Sequence, residues 1–373
     1  MIEHLEIRDS SRALIGIIDT AQSVIWNEEY YGTGDFEIYV QASPAVLALI
    51  DVGNYVTRPD NRNVGIIESV NIDTSISGGQ MATISGRFAK SILARRLIYN
   101  LSGNTVYPVV SSGNVEAAVR ALVNKNIISA ADSARNVSFF KLGALAGITK
   151  KIVDDDGKAT QVQTSYENLQ TYTDGLLREY GLGAYVALDR STLNLLYNVY
   201  EGKDRSAGNS SGNIPLVFSQ EFDNLLSTAY SVDETAYKNA ALIGGEGEGT
   251  ERFYSLVSYG SGINRRELFI DGSSQSKTYK DDSDTEHTYS DTEYNALLIS
   301  KARQELSDTI IVENFSGEID IANSGLTLNE DFSIGDIVTI QDNQLAKYIN
   351  VRIIKITEVQ DESGYNINIE FEE

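Results

Sequence analysis

The chain has no cysteine among its 373 residues. That removes disulfides, thiolate catalysis and Cys-based zinc or iron–sulfur sites together, and leaves a fold that survives either redox state. Histidine is almost as scarce, with only His4 and His287. Neither has a His-x-x-x-His partner, and a Ser-His-Asp triad is hard to build from them, so both read as incidental surface residues. No apolar run approaches the length of a membrane span. The opening MIEHLEIRDSS lacks a basic stretch and an apolar stretch, so no signal peptide is expected. Positive charge is in deficit: 30 Lys and Arg stand against 53 Asp and Glu, a formal net charge of −23. Binding to nucleic-acid phosphates depends on Lys and Arg releasing counterions and is therefore disfavoured, and an anionic membrane would repel the chain. The acidity suits a solvated surface, or a channel wall that DNA passes without sticking.

What is present is the composition of a globular protein, 42% hydrophobic and 22% charged, long enough for two to four domains. Four prolines against thirty glycines fit strands joined by many turns. Tyrosine (21) outnumbers phenylalanine (11), which favours an assembly component, because tyrosine suits wet interfaces. The most informative stretch is Ile25 to Val40, IWNEEYYGTGDFEIYV. Phe36, Ile38 and Val40 alternate with Glu37 and Tyr39, the period of a half-buried strand. Gly32 and Gly34 supply the positive φ of a tight turn. The rings of Trp26, Tyr30 and Tyr31 suit a sheet face or an interface rim.

The fold class expected is α+β, mainly β. Residues 1–87 read as a first small β-barrel, with a short helix from Pro44 to Ile50 capped by Ser43 and a hairpin turn at Ser77-Gly78-Gly79. Residues 88–213 read as a mixed α+β domain. It holds a helix from Phe88 to Leu93, another from Val115 to Val123 capped by Asn114, and a third from Ser165 to Tyr180 stopped by Gly181. A hairpin follows, and the domain ends in the polar linker GKDRSAGNSSGN (202–213). Residues 214–249 and 307–373 read as a second β-barrel. Residues 250–306 form an inserted subdomain whose helix, Asp291 to Leu306, opens with Ser290 and Glu293 at capping-box spacing.

The two β regions echo each other. Gly53-Asn54-Tyr55-Val56-Thr57, the Gly65–Val70 strand, a Ser-Gly turn and Ala82–Ser85 recur as Gly335-Asp336-Ile337-Val338-Thr339, the Arg352–Val359 strand, Ser363-Gly364 and Asn366–Ile369. The order of elements is the same; any two β-meanders share such an order, and the Gly-x-x-Val-Thr start common to both copies favours duplication. Three such chains would present six related modules in a ring, able to dock on a six-fold tube.

The Ile-Trp-Asn opening, the Tyr-Tyr-Gly turn and the Gly-Asp-Phe-Glu strand resemble the siphophage tail-hub family. So do ATISGRFAKSILARRLI (82–98), NAALIGGEGEGTERFYSLV (239–257), SGINRRELFIDGSS (261–274) and LNEDFSIGDIVTI (328–340). The resemblance covers almost the whole length and is weaker from 100 to 235. It implies a structural, trimeric baseplate hub, similar in fold to the hub of contractile tails, that closes the tail tube until DNA ejection. The implied partners are further copies of itself (a homotrimer), the distal tail protein, the tape-measure protein and receptor-binding or fibre proteins, with DNA passing through unbound. The implied place is the virion tail tip, after assembly in the bacterial host cytoplasm. The chain stops at Glu373, so a fused lysin domain is not expected.

Candidate chemistry yields to plainer readings. Placing Gly157 of Asp154-Asp155-Asp156-Gly157 at the EF-hand glycine puts Ile152 and Gln163 where acidic ligands belong, so a solvated turn is favoured. GGEGEG (244–249) lacks a third phosphate-loop glycine, and its glutamates would repel phosphate. The acidic loop from Asp281 to Asp291 reads as solvated surface. Arg95-Arg96 and Arg265-Arg266 stand out as candidates for intersubunit bridges, with ordinary surface pairs the default. No catalytic, cofactor-binding or metal residue is assigned, and no enzyme activity is expected. A hub with cell-wall hydrolase activity and a secreted glycan-binding adhesion module are the competing classes.

Overall fold

The first ninety residues form β1 (Leu5–Arg8), β2 (Leu14–Ile18), β3 (Ala21–Glu29), β4 (Asp35–Gln41), α1 (Pro44–Leu47), β5 (Tyr55–Thr57), β6 (Val64–Ile66), β7 (Ser69–Ser75) and β8 (Gly79–Arg87), with period-two burial along β3 and β4 and with β1, β5 and β6 buried throughout. Next come β9 (Asn100–Ser102), β10 (Thr105–Tyr107), β11 (Val109–Ser112), α2 (Val115–Val123), β12 (Phe140–Leu142), β13 (Gln161–Thr164), α3 (Leu169–Glu179), β14 (Gly183–Asp189) and β15 (Asn194–Tyr200). The last part holds β16 (Val217–Ser219), β17 (Ser227–Asp233), β18 (Ala240–Gly244), β19 (Tyr254–Ser258), β20 (Glu267–Asp271), β21 (Thr278–Lys280), β22 (Glu286–Thr288), α4 (Asp291–Ser307), β23 (Val312–Ile319), β24 (Ile337–Asp342), β25 (Lys347–Asp361) and β26 (Gly364–Glu372). This computed structural model describes residues 2–75, 79–153, 158–280, 285–309, 311–319, 324–344 and 346–372. Ser77, Gly78 and the Asp154–Gly157 run lie outside the described residues.

The chain forms two units. One is Met1–Ser91, Gly183–Val232 and Glu313–Glu373; the other is Ile92–Leu182 and Asp233–Val312. The fold is mainly β, as expected. Among the described residues, however, the strands do not close into barrels. The principal sheet of the first unit is open and runs β17-β23-β26-β25-β3-β4-β8-β7, with β24 beside β25 and β16 beside β24.

That order contains the echo. From the β7 side the strands run β7-β8-β4-β3 and then β25-β26-β23-β17, a hairpin followed by two earlier strands, twice over. Gly53 and Gly335 both have φ of +94°, a left-handed conformation that glycine adopts without a Cβ penalty. Gly53 N–H donates to the Ile67 carbonyl, and Ile67 N–H returns a bond to Asn54; Gly335, Ile353 and Asp336 repeat both bonds, all four at 2.8 Å. Ile67 is thus the counterpart of Ile353. The gap between β6 and β7 at Glu68 then falls on the bulge in β25 at Ile354. The two halves meet where β3 pairs antiparallel with β25, from Glu29 opposite Lys355 to Val24 opposite Gln360. One core gathers Trp26, Phe36, Ile38, Val46 and Ile84, and the other gathers Tyr30, Phe218, Phe332, Ile353 and Phe371.

In the second unit β18 lies between antiparallel β19 and parallel β20. One face of this sheet packs Ala241, Ile243, Val257 and Ile270 against Tyr294, Leu298 and Ala302 of α4. Ser290 Oγ accepts from Glu293 N–H and the Glu293 carboxylate accepts from Ser290 N–H, the capping box read from the sequence. Asn114 caps α2 and Ser43 caps α1 as expected. The third predicted helix begins later than Ser165, because Tyr166 has φ of +67° and Asn168 supplies the cap. The segment predicted as a helix from Phe88 is 3₁₀ over Ala89–Arg95. No helix among the described residues is long and apolar enough to cross a membrane.

Candidate functional site

The β3–β25 seam carries charge where apolar residues would be expected. Strand burial alternates, so Glu28 shares the inward face of β3 with Val24 and Trp26, and Glu358 shares that of β25 with Ile356. A buried carboxylate needs partners, and each of these has them. Arg58 binds Glu358 through Nη1 at 2.8 Å and Nη2 at 3.0 Å, and binds Asp60 at 3.0 and 2.6 Å. Burial opposes its charge, but the hydrogen bonds to Asp60 and Glu358 outweigh that and raise its pKa. The Tyr365 hydroxyl donates to Glu358 at 2.6 Å. Burial, helped by the Glu358 charge, raises the tyrosine pKa.

Glu28 accepts from the amides of Asn61 and Asn63, each at 2.7 Å. Burial raises its pKa, and the charge of Arg62 offsets this only in part. The Arg62 guanidinium sits 4.0 Å from the centre of the Tyr185 ring and 4.1 Å from that of Tyr200, two rings that meet edge to face, and these paired cation–π contacts tie the β14–β15 hairpin to the loop after β5. Glu6 accepts from Arg190, Arg8 and Thr57, all at 2.8 Å. Burial raises its pKa, but those three bonds overcome the effect and lower it to about 2. At Arg12, φ is +69° and Nε donates to the Leu193 carbonyl at 2.7 Å, pinning the β1–β2 turn.

The Ile25–Val40 motif lies inside this site rather than at an interface rim. Trp26 is fully buried, 4.8 Å from Phe88 and 5.8 Å from Phe36, with Arg58 5.2 Å over its face. Tyr30 is also fully buried, and its hydroxyl accepts from Gly202 N–H. Gly34 has φ of +73°, whereas Gly32 is not left-handed, and a Cβ there would meet only the Glu29 side chain, whose exposed carboxylate is able to swing away.

The other sequence candidates take ordinary places. His4 precedes β1, while His287 lies in β22, stacked on Tyr279. In GGEGEG, Gly245 N–H donates to Phe253 and Glu246 N–H to the Tyr294 hydroxyl, so neither is free to cradle a phosphate. Arg265 pairs with Glu267 and Arg266 with Glu234, both within the chain, and Arg96 donates to the Arg135 carbonyl. Residues 281–284 of the acidic loop lie outside the described residues, and Asp291 pairs with Lys277. Among the described residues no group of three or more His, Asp or Glu is placed to hold a metal. Sequence reasoning missed Glu28, Arg58, Arg62 and Glu358. The available signal was a glutamate in phase with the buried side of an alternating strand.

Residues 4–371 match the family described as Siphovirus ReqiPepy6 Gp37-like protein. The chain belongs to that family. The tail-protein resemblance read from the sequence holds, and solved structures agree on the fold of this Gp37-like chain. It is similar to the tail protein from Neisseria meningitidis MC58 (13% identity, 99% and 96% of the two chains, TM-score 0.58). It is also similar to the 43 kDa tail protein of prophage MuSo2 from Shewanella oneidensis (13%, 99% and 98%, 0.55). A third match is prophage tail protein gp18 from Listeria monocytogenes EGD-e (12%, 98% and 94%, 0.51). No curated protein matches the Gp37-like chain.

Proposed function

We propose that this Gp37-like chain is a structural, non-enzymatic hub at the tail tip, working as a ring of three copies. The observation that carries the proposal is the tandem strand order. Inside one chain the β3 edge of one half pairs with the β25 edge of the other. The counterpart of β3 in the repeat is β17, and the counterpart of β25 is β7, and these two strands end the sheet. A head-to-tail contact between β17 of one copy and β7 of the next would continue the internal pattern, and such contacts form a ring where the rotation between copies closes. Neither edge carries Lys, Arg or Pro, the usual devices against edge pairing. Three copies give six related β modules, a match for a six-fold tube.

In this reading the ring closes the tail tube, joins the distal tail protein above and fibre or receptor-binding proteins below, and meets the tape-measure protein within. It is assembled in the host cytoplasm and carried in the virion. The acidic composition would let DNA leave through the opened ring without sticking.

Light scattering behind size exclusion, with negative-stain images, tests the ring. A ring-shaped trimer is expected. Proline at Ser231 and, separately, at Val232 probes the β17 edge, since successive N–H groups of an edge strand alternate between the paired and the free side. One of the two should leave a folded monomer. Trimers that persist in both variants would reject the β17–β7 contact, and a zymogram on host cell wall tests the absence of hydrolase activity.

A further inference from the structure

A cleft of about 400 Å³ opens beside the Arg58–Glu358 pair, within the first unit. Its floor holds Arg58 against Asp60 and Glu358, and the positive charge of the amino terminus also acts on Asp60, so the excess negative charge of the cleft comes from Glu330. Arg58 uses four of its five N–H groups on Asp60 and Glu358, so one cation faces two carboxylates and has little left for an anionic ligand. Glu330 on the lip adds a third carboxylate. The walls are apolar, from Leu326, Leu328 and Ile367. The lip is built by its own bonds: Asn329 has φ of +69° and donates to the Phe332 carbonyl, and Thr327 N–H donates to Asp331. The side chains of Thr327, Asn329 and Glu330 make no hydrogen bond to other described residues, and all three are exposed at the cleft.

An apolar ligand would strip water from Asp60 and Glu330 without replacing it, which is costly for a carboxylate. An anion would meet net negative charge. The group that fits both walls and floor has a hydrocarbon stem and a cationic head, the shape in which lysine and arginine bury their stems and keep their charge hydrated. We propose that this cleft binds an alkylammonium or alkylguanidinium group, with the stem against Leu326, Leu328 and Ile367 and the head between Asp60, Asn329 and Glu330. A lysine or arginine side chain of a neighbouring protein and a free polyamine share this chemistry. The proposal does not depend on the ring.

Calorimetry on the full chain at physiological salt tests it. The probes are N-acetyl-lysine methylamide, the uncharged N-acetyl-norleucine methylamide, ammonium ion and spermidine. Trp26 is the only tryptophan and lies under Arg58, so its fluorescence gives a second readout. The lysine probe should bind one per chain, about tenfold more tightly than either norleucine or ammonium, because each of those lacks one half of the recognition. Glu330→Gln and Leu328→Ala should each weaken it by about threefold or more, through head and stem respectively. Spermidine binding one per chain and more tightly than the lysine probe would identify a polyamine, and the reverse a protein side chain. Equal binding of norleucine and lysine, equal binding of ammonium and lysine, or unchanged binding in both variants would overturn the proposal.

Discussion

Arg58 and Glu358 lie 300 residues apart in the chain and share two hydrogen bonds, with both side chains 2% exposed. The pair bolts the loop after β5 to β25 and so joins the two halves of the repeated sheet. Breaking a buried pair leaves one charge unpaired, whereas replacing both partners removes the problem. Arg58→Met and Glu358→Leu should each lower unfolding free energy by about 3–5 kcal/mol, and the double variant by clearly less than their sum. A double-mutant cycle in urea measures this, and additive losses would reject the coupling.

The two repeated glycines should respond differently to a methyl group. At Gly53 a Cβ would meet nothing within 4 Å, so Gly53→Ala carries only the left-handed strain of about 1 kcal/mol. At Gly335 a Cβ would lie 2.2 Å from the buried Tyr30 ring. Gly335→Ala should lose a further 1–3 kcal/mol, roughly, from overpacking. Similar urea midpoints for the two variants would count against the packing given for Tyr30.

Acid should loosen the first unit through Glu6. Its pKa falls from an ordinary 4.5 to about 2 in the folded chain, so its bonds to Arg190, Arg8 and Thr57 stabilise fully above pH 4.5. That contribution is lost as pH falls from 4.5 towards 2. Glu28 has the opposite sign, because burial raises its pKa and its charge opposes folding at neutral pH. In pH-dependent unfolding, Glu6→Gln should flatten the acid limb between pH 4.5 and 2; an unaltered slope would reject this role.

Arg62 is held by its planar shape as well as its charge. Arg62→Lys keeps the charge but loses the broad guanidinium that reaches two rings at once. A loss of about 1–2 kcal/mol is expected. Hydrogen exchange should also rise across Gly183–Tyr200, the hairpin that these contacts hold. Unchanged protection there would mean that the rings are held without the cation.

The outer face of the β18–β20 sheet should matter to assembly and not to folding. Leu242 pairs across to Leu256 and Phe269, and the three are 42%, 52% and 56% exposed in one row. Leu256→Asp should change unfolding free energy by only about 0.5 kcal/mol. Exposed apolar rows of this kind mark interaction surfaces, so the same variant should incorporate poorly into tails. Normal incorporation would remove this face from the assembly.

Elements governed by neighbours in sequence were legible without the tertiary structure. Asn114 caps α2, Ser290 and Glu293 box the start of α4, and Gly181 ends α3, because a cap acts across no more than four residues. The echo was legible too, since Gly53 and Gly335 must each adopt the same left-handed turn before a Val-Thr strand. Its alignment was not: backbone bonds set Ile67 against Ile353, and an apolar run of isoleucines is uniform enough to slide by one residue. The start of α3 was misplaced because a left-handed Tyr166 is set by its surroundings rather than its propensity. Only the tertiary structure decided that the two β halves form one open sheet, that Trp26 is a core residue, and that Glu28 and Glu358 are buried. Strand pairing joins segments hundreds of residues apart, and a carboxylate can enter the interior only where the fold delivers an arginine or amides to meet it.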